Sequence, residues 1–171
     1  ISSQELLSRT KILVSDERRA TLALIEHLAE IERRRLYAEL GFASMWEYIT
    51  RDLGLSEGAA QRRLSASRLL RDVPEVKVRL ENGTLSLSNA AKVQGFRQAT
   101  AKRGQTPDPK KLVEAVASLS QRECDTKLFE ISPEALPRER ERIISAKAER
   151  ELKIVVSAEL YDKLQRIQGL I

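Results

Sequence analysis

Hydrophobic residues recur every three or four positions along most of the chain, the period of an α-helix with one buried face. This spacing predicts a short helix over 4–14. A long helix is predicted to follow, beginning after Ser15 as its cap and ending at Leu40, where Gly41 closes it. The chain is therefore expected to be mainly α-helical.

Serine caps, glycines and prolines divide the following residues into further helices. Ser44, Ser56, Ser86 and Ser120 each stand immediately before a predicted helix, where a serine hydroxyl accepts a hydrogen bond from a free backbone amide. The predicted helices cover about 45–53, 57–71, 74–82, 87–103, 109–118 and 121–130. The proline-containing stretch 104–109 predicts a linker between a helical domain, 1–103, and a helical pair, 110–137.

One segment departs from the helical period. Residues 151–157 are rich in β-branched side chains and predict a strand, followed directly by a final helix, so that 138–171 is expected to form a strand-helix unit. The charged stretch 138–151 before the strand is expected to be helical or loose. A lone strand leaves its backbone groups unpaired, which favours pairing between two copies of the chain.

We therefore expect a homodimer with antiparallel strands. The residues expected to form its contact are Leu152, Ile154, Val156, Leu160 and Leu164. The alternative is that the strand pairs within its own chain, with a strand that the helical period conceals.

Composition excludes several classes of protein. The chain has 171 residues, 42% hydrophobic and 32% charged, and no apolar run approaches the length of a membrane span. With one cysteine, Cys124, and one histidine, His27, it cannot build a Cys/His zinc site or a histidine-pair nuclease centre by itself. No glycine-rich phosphate loop is present in the sequence. A cytoplasmic protein is expected, since the first residues given do not have the pattern of a secretory signal and a single cysteine makes no intrachain disulfide.

The positive charge is concentrated in the middle of the chain. Residues 1–55 carry 8 basic and 9 acidic side chains, residues 56–111 carry 12 and 5, and residues 112–171 carry 10 and 11. The net charge of +5 thus comes from a middle segment of +7. Such a segment is typical of a surface that binds a polyanion, and equally of a solvated basic face with no partner.

The same segment contains a helix, the Gly54-Leu55 turn and a second helix, over about 44–71, which is the arrangement of a helix-turn-helix. The apolar positions expected between the two helices are Trp46, Ile49, Leu53, Leu55, Ala60 and Leu64. The residues expected to bind DNA are Ser56, Glu57, Gln61, Arg62, Arg63, Arg68, Arg71, Lys77 and Arg79. Of these, the last four are expected to hold backbone phosphates.

The order of several short motifs resembles a known family. The run 54–64, then Arg68-Leu69-Leu70, Val73-Pro74 and 81–86 with Asn89-Ala90-Ala91, resembles the helical region that precedes the catalytic module of bacterial HNH endonuclease-like proteins. Its core is also similar to the helix-turn-helix of ParB-type partition proteins. The first resemblance extends from about Arg33 to the terminal helix.

This resemblance implies a function and a missing module. The chain would be the part that delivers a nuclease to double-stranded DNA, with the helix after Ser56 as its recognition helix and Glu57, Gln61 and Arg62 facing outward. The histidines and divalent metal of an HNH site would belong to a module after Ile171. We therefore expect a piece of a longer protein that itself holds no catalytic residue, metal or other cofactor.

Three other interpretations remain open from the sequence. One is a stand-alone helix-turn-helix regulator or partition-type protein without enzymatic activity. Another is a helical protein-interaction module whose basic face is incidental. Third, Asp108 with Glu151 and Lys153 imitates the metal-binding pattern of PD-(D/E)xK nucleases, although that site is built on a sheet and a single strand is predicted here.

Overall fold

The computed structural model describes residues 1–135, 140–143, 150–153 and 156–168, and is mainly helical. It divides into two compact units, Ile1–Ala135 and Leu136–Ile171. The helices of the first unit are α1 (Ser3–Arg34), α2 (Leu36–Glu39), α3 (Met45–Glu47), α4 (Glu57–Asp72), α5 (Val76–Asn82), α6 (Leu87–Ala101), α7 (Pro109–Ala115) and α8 (Gln121–Ile131). A π-helical turn (Tyr48–Asp52) continues α3, and a 3-10 turn (Pro133–Ala135) follows α8.

The first helix is longer than the sequence predicts. Ser2 caps α1 by accepting a hydrogen bond from the Glu5 amide at 3.2 Å, and the helix passes through Ser15 without a break. The predicted cap at Ser15 is wrong because no glycine or proline interrupts the segment, and a serine alone does not end a helix. The helix ends at Arg35, whose φ of 59° lies in the left-handed region.

The other serine caps are confirmed. The hydroxyls of Ser44, Ser56, Ser86 and Ser120 each accept a hydrogen bond from the amide three residues later. At Ser120 the Glu123 carboxylate also accepts from the Ser120 amide, at 2.8 Å, which completes a capping box. These local bonds fix where α3, α4, α6 and α8 begin.

The core of the first unit surrounds α4, which packs against α1 on one side and α6 on the other. Its larger cluster includes Ile25, Leu69 and Val93, together with Val113 and Leu128 from the last two helices. Because this cluster includes residues on both sides of 104–109, α7 and α8 belong to the same compact unit as α1–α6.

A smaller cluster holds the predicted helix-turn-helix together. Leu28 of α1, Met45 and Ile49 before the turn, and Ala60 and Leu64 of α4 are all buried in it. The C-terminal part of α1 therefore supports the two helices.

The structure of the C-terminal unit contradicts two predictions, the strand-helix unit with a lone strand and the dimer formed through that strand. Its strands β1 (Arg140–Ile143) and β2 (Arg150–Lys153) pair with each other as an antiparallel hairpin, with Arg142 opposite Glu151. The predicted strand-helix unit with a lone strand is therefore wrong, and so is dimerisation through that strand. The backbone of β2 finds its partner within the chain, in a stretch expected to be helical or loose, so it needs no second copy.

The residues expected at the dimer contact lie in different settings. Leu152 stands in β2 opposite Glu141, Ile154 lies outside the described residues, and Val156 follows the hairpin as a half-buried residue. Leu160 and Leu164 lie on α9 (Ala158–Gln168), with exposures of 47% and 41%. Within the described ranges, no helix has an apolar stretch long enough to cross a membrane.

Candidate nucleic-acid interface

The predicted turn between two helices is present and is centred on Gly54. The residue has a φ of 65°, a left-handed conformation that glycine adopts without steric cost. The Leu55 amide donates to the Ile49 carbonyl at 3.1 Å, which closes the turn before Ser56 starts α4. The chain thus changes direction over three residues and presents the beginning of α4 after a sharp turn.

The helix before this turn is rotated from the predicted orientation. Met45 and Tyr48 are buried, whereas Trp46 and Leu53, which were expected inside, are 36% and 38% exposed. The π-helical turn over Tyr48–Asp52 explains the difference, because its wider turn shifts the phase of an α-helical pattern. The predicted interior positions Ile49, Ala60 and Leu64 are buried, and Leu55 is half-buried.

One face of the first two turns of α4 is open to solvent, and the opposite face, with Ala60 and Leu64, is buried. Ser56, Glu57, Gln61 and Arg62 are exposed, whereas residues 64–67 and Leu69 are buried. A recognition helix of a helix-turn-helix contacts base edges with its N-terminal residues, so the accessible end of α4 is the end that such contacts require.

The basic residues among the predicted DNA-binding residues fall into two groups, those paired with a carboxylate and those without such a partner. Arg68 binds Glu32 at 2.7 Å, Lys77 binds Glu26 at 2.6 Å and Arg71 lies 3.4 Å from Asp72. Among the described residues, no carboxylate oxygen lies within the 4.0 Å salt-bridge limit of Arg62, Arg63 or Arg79. The middle segment is therefore less positive at its surface than its charge count indicates, since carboxylates of α1 neutralise part of it.

Carboxylates on α1 change the local electrostatics. The hydrogen bond that Lys77 donates to the Glu26 carboxylate raises the pKa of Lys77, so this ammonium stays charged and paired at neutral pH. Hydrogen bonds from Arg33 and Arg34 lower the pKa of Glu30 to about 2. These pairs engage Lys77, Arg33 and Arg34 with carboxylates of α1, so these three cations are less available to an anionic partner.

Arg18 of α1 is a basic residue that the sequence analysis did not single out. It lines one cleft together with Arg62 and Arg63 of α4. Its guanidinium lies at the place that a Cβ on Gly83 would occupy, beside the turn between α5 and α6. No local motif indicates this proximity, because Arg18 is separated from Arg62 by more than forty residues and meets it only through helix packing.

The described residues contain no set of three or more His, Cys, Asp and Glu side chains that could hold a metal ion. Cys124 is fully buried, and burial raises the pKa of its thiol to about 11. The Nδ1 atom of His27 lies 2.7 Å from the Ala23 carbonyl of its own helix, so this ring is tied to the backbone. Comparison of the chain with protein-family models, curated proteins and solved structures gives no match.

Proposed function

We propose that this chain binds double-stranded DNA through the N-terminal half of α4. The observation that carries the proposal is the exposure of Glu57, Gln61 and Arg62 directly after the Gly54 turn, on a helix whose opposite face is buried in the core. A helix with an exposed face at its N-terminal end can enter the major groove, which admits a single α-helix.

The exposed side chains have the chemistry of base recognition. An arginine can donate two hydrogen bonds to guanine, a glutamine can bind adenine with its amide, and a glutamate can accept from the amino group of cytosine. Arg62, Gln61 and Glu57 supply one side chain of each kind.

We further propose that this DNA-binding part belongs to an HNH endonuclease-like protein, in which it would position a nuclease module. The support for this second proposal is a resemblance in sequence, namely the order of the motifs from Gly54 to Ala91. A regulator or partition-type protein without enzymatic activity would use the same helix. The two differ in whether the longer protein contains an HNH module, which sequencing beyond Ile171 would reveal.

A matched pair of double variants tests the DNA-binding proposal. Gln61 and Arg62 form a Gln-Arg pair near the start of α4, and Gln121 and Arg122 form an exposed Gln-Arg pair at the start of α8. Fluorescence anisotropy with a labelled random-sequence duplex should show about a ten-fold loss of affinity for Gln61→Ala with Arg62→Ala, because phosphate and base contacts are removed.

The control, Gln121→Ala with Arg122→Ala, removes the same charge and should leave the affinity within about two-fold. Equal losses in both double variants would mean that charge alone governs binding. The proposal for α4 would then fail.

A further inference from the structure

A cleft of about 430 Å³ lies between α1, α4 and the turn that joins α5 to α6. Three arginines line it: Arg18 from α1, and Arg62 and Arg63 from α4. Glu17 is the one carboxylate among its lining residues. Two helices distant in sequence thus bring a surplus of positive charge to one partly enclosed space, which the α5–α6 turn closes on a third side.

The arginines of the cleft have no acidic partner among the described residues, whereas two nearby basic residues, Arg68 and Lys77, do have one. Arg68 on the same helix pairs with Glu32. Within the described part of the chain, no carboxylate oxygen lies within 4.0 Å of Arg18, Arg62 or Arg63. Their mutual repulsion is not relieved by a salt bridge of the protein, so a bound anion would be stabilised here.

Arg63 carries the strongest sign of a missing partner. Its Nε atom is buried and has no hydrogen-bond acceptor, although its Nη1 donates to the Ala59 carbonyl at 3.3 Å. Buried donors of folded proteins are nearly always satisfied, and an unsatisfied one calls for an explanation. A rotation of the Arg63 side chain toward an oxyanion in the cleft would give this atom an acceptor.

The opposite wall of the cleft is also suited to an anion. Ser86, which caps α6, lines it. The first backbone amides of a 15-residue helix give this end a partial positive charge. The Arg18 guanidinium is held beside this wall by its contact with Gly83, where the missing Cβ leaves room for it.

From these contacts we infer that the cleft binds a phosphate group carried on a larger molecule. Guanidinium forks match the oxygens of a phosphate, and three of them offset its charge. The cleft is large enough for a ligand of nucleotide size, since ligand sites commonly occupy 300–1,000 Å³. Two sources share this chemistry: a phosphate of a DNA strand, which rests on the proposed function, or a free phosphorylated small molecule.

The test compares Arg18→Gln with Arg19→Gln. Arg19 is the next residue of α1, is 61% exposed, pairs with Asp16 and does not line the cleft. Binding of inorganic phosphate is measured by isothermal titration calorimetry at constant ionic strength. Arg18→Gln should weaken this binding by about ten-fold and Arg19→Gln by less than about two-fold. Arg63→Gln, which removes the buried Nε, should weaken phosphate binding as Arg18→Gln does.

A labelled duplex distinguishes the two sources. If Arg18→Gln also weakens duplex binding and Arg19→Gln does not, the phosphate belongs to a DNA strand. If duplex binding is the same in both variants, or absent in all proteins, while Arg18→Gln alone loses phosphate binding, the ligand is a free phosphorylated molecule. Two results would overturn the inference. One is that the unaltered chain binds no phosphate, and the other is that the unaltered chain, Arg18→Gln and Arg19→Gln bind phosphate equally.

Discussion

Arg62 and Arg68 stand six residues apart on one helix and have different surroundings. The Arg68 guanidinium pairs with Glu32 and joins α4 to α1, an interaction that contributes about 0.5–1 kcal/mol for a pair that remains partly exposed. Arg62 is exposed and has no carboxylate within 4.0 Å among the described residues. Arg68 therefore contributes to the fold, and Arg62 remains available for an anionic partner.

Glu57 gives a prediction at the same scale. It lies in the first turn of α4, where the proposed interface would bring its carboxylate close to DNA phosphates. Glu57→Gln should therefore strengthen non-specific duplex binding by about three-fold at low salt, because a repulsive charge is removed. The measurement is anisotropy with a random-sequence duplex.

Glu114→Gln is the matched control for Glu57→Gln, since Glu114 is also exposed and the change in net charge is the same. Glu114 lies on α7, and Glu114→Gln should increase the affinity by less than about half of the increase that Glu57→Gln produces. If both variants strengthen binding equally, Glu57 does not lie near the DNA.

At the scale of elements, the turn at Gly54 decides how α4 is presented. Its φ is 65°, and no atom lies within 4 Å of a Cβ built on it. The cost of adding a methyl group here is therefore the strain of a left-handed backbone, without a steric clash. Gly54→Ala should lower the free energy of unfolding by about 1–2 kcal/mol. Urea denaturation followed by circular dichroism measures this change.

Gly95 provides the comparison. It lies inside α6 without a positive φ, and a Cβ there also meets nothing within 4 Å. Gly95→Ala should raise the free energy of unfolding by about 0.5–1 kcal/mol, because alanine favours a helix more than glycine does. A stabilising effect at both glycines would contradict the left-handed conformation at Gly54.

Local signals predicted the beginnings of α3, α4, α6 and α8 and the turn at Gly54, but they placed a helix start at Ser15, where α1 is continuous. The caps at Ser56, Ser86 and Ser120 depend on atoms three residues apart, so the sequence contains all that is needed to find them. The π-helical turn after Glu47 changes the phase of the pattern, and no residue type marks it. For this reason the fold places Trp46 at the surface, against the prediction.

Two further features, strand β1 and the position of Arg18, were not predicted from the sequence because they depend on partners distant in sequence. Strand β1 lies in a charged stretch with few β-branched residues, and its pairing with β2 determines its conformation more than its own propensity does. The cleft depends on α1 meeting both α4 and the α5–α6 turn, so Arg18 could not be found from any local motif. By contrast, exposure of Ser56, Glu57, Gln61 and Arg62 follows from the helical period together with the cap.

At the scale of the whole molecule, the two described units have different importance for the proposed function. The proposed interface and the cleft both belong to Ile1–Ala135, where α4 is held between α1 and α6. The hairpin and α9 belong to the other unit and contribute none of the residues proposed to contact DNA. The proposed DNA-binding site therefore lies in the unit whose core holds α4 in place.

Backbone amide chemical shifts test this account most directly. The ¹⁵N-labelled chain is titrated with an unlabelled duplex of about one and a half helical turns, long enough for one major-groove contact with flanks. We predict that the largest shift changes fall on residues 54–62, with small changes over α7 and α8. Binding that leaves the amides of 54–62 unchanged, or no shift changes at any residue, would contradict the proposed interface.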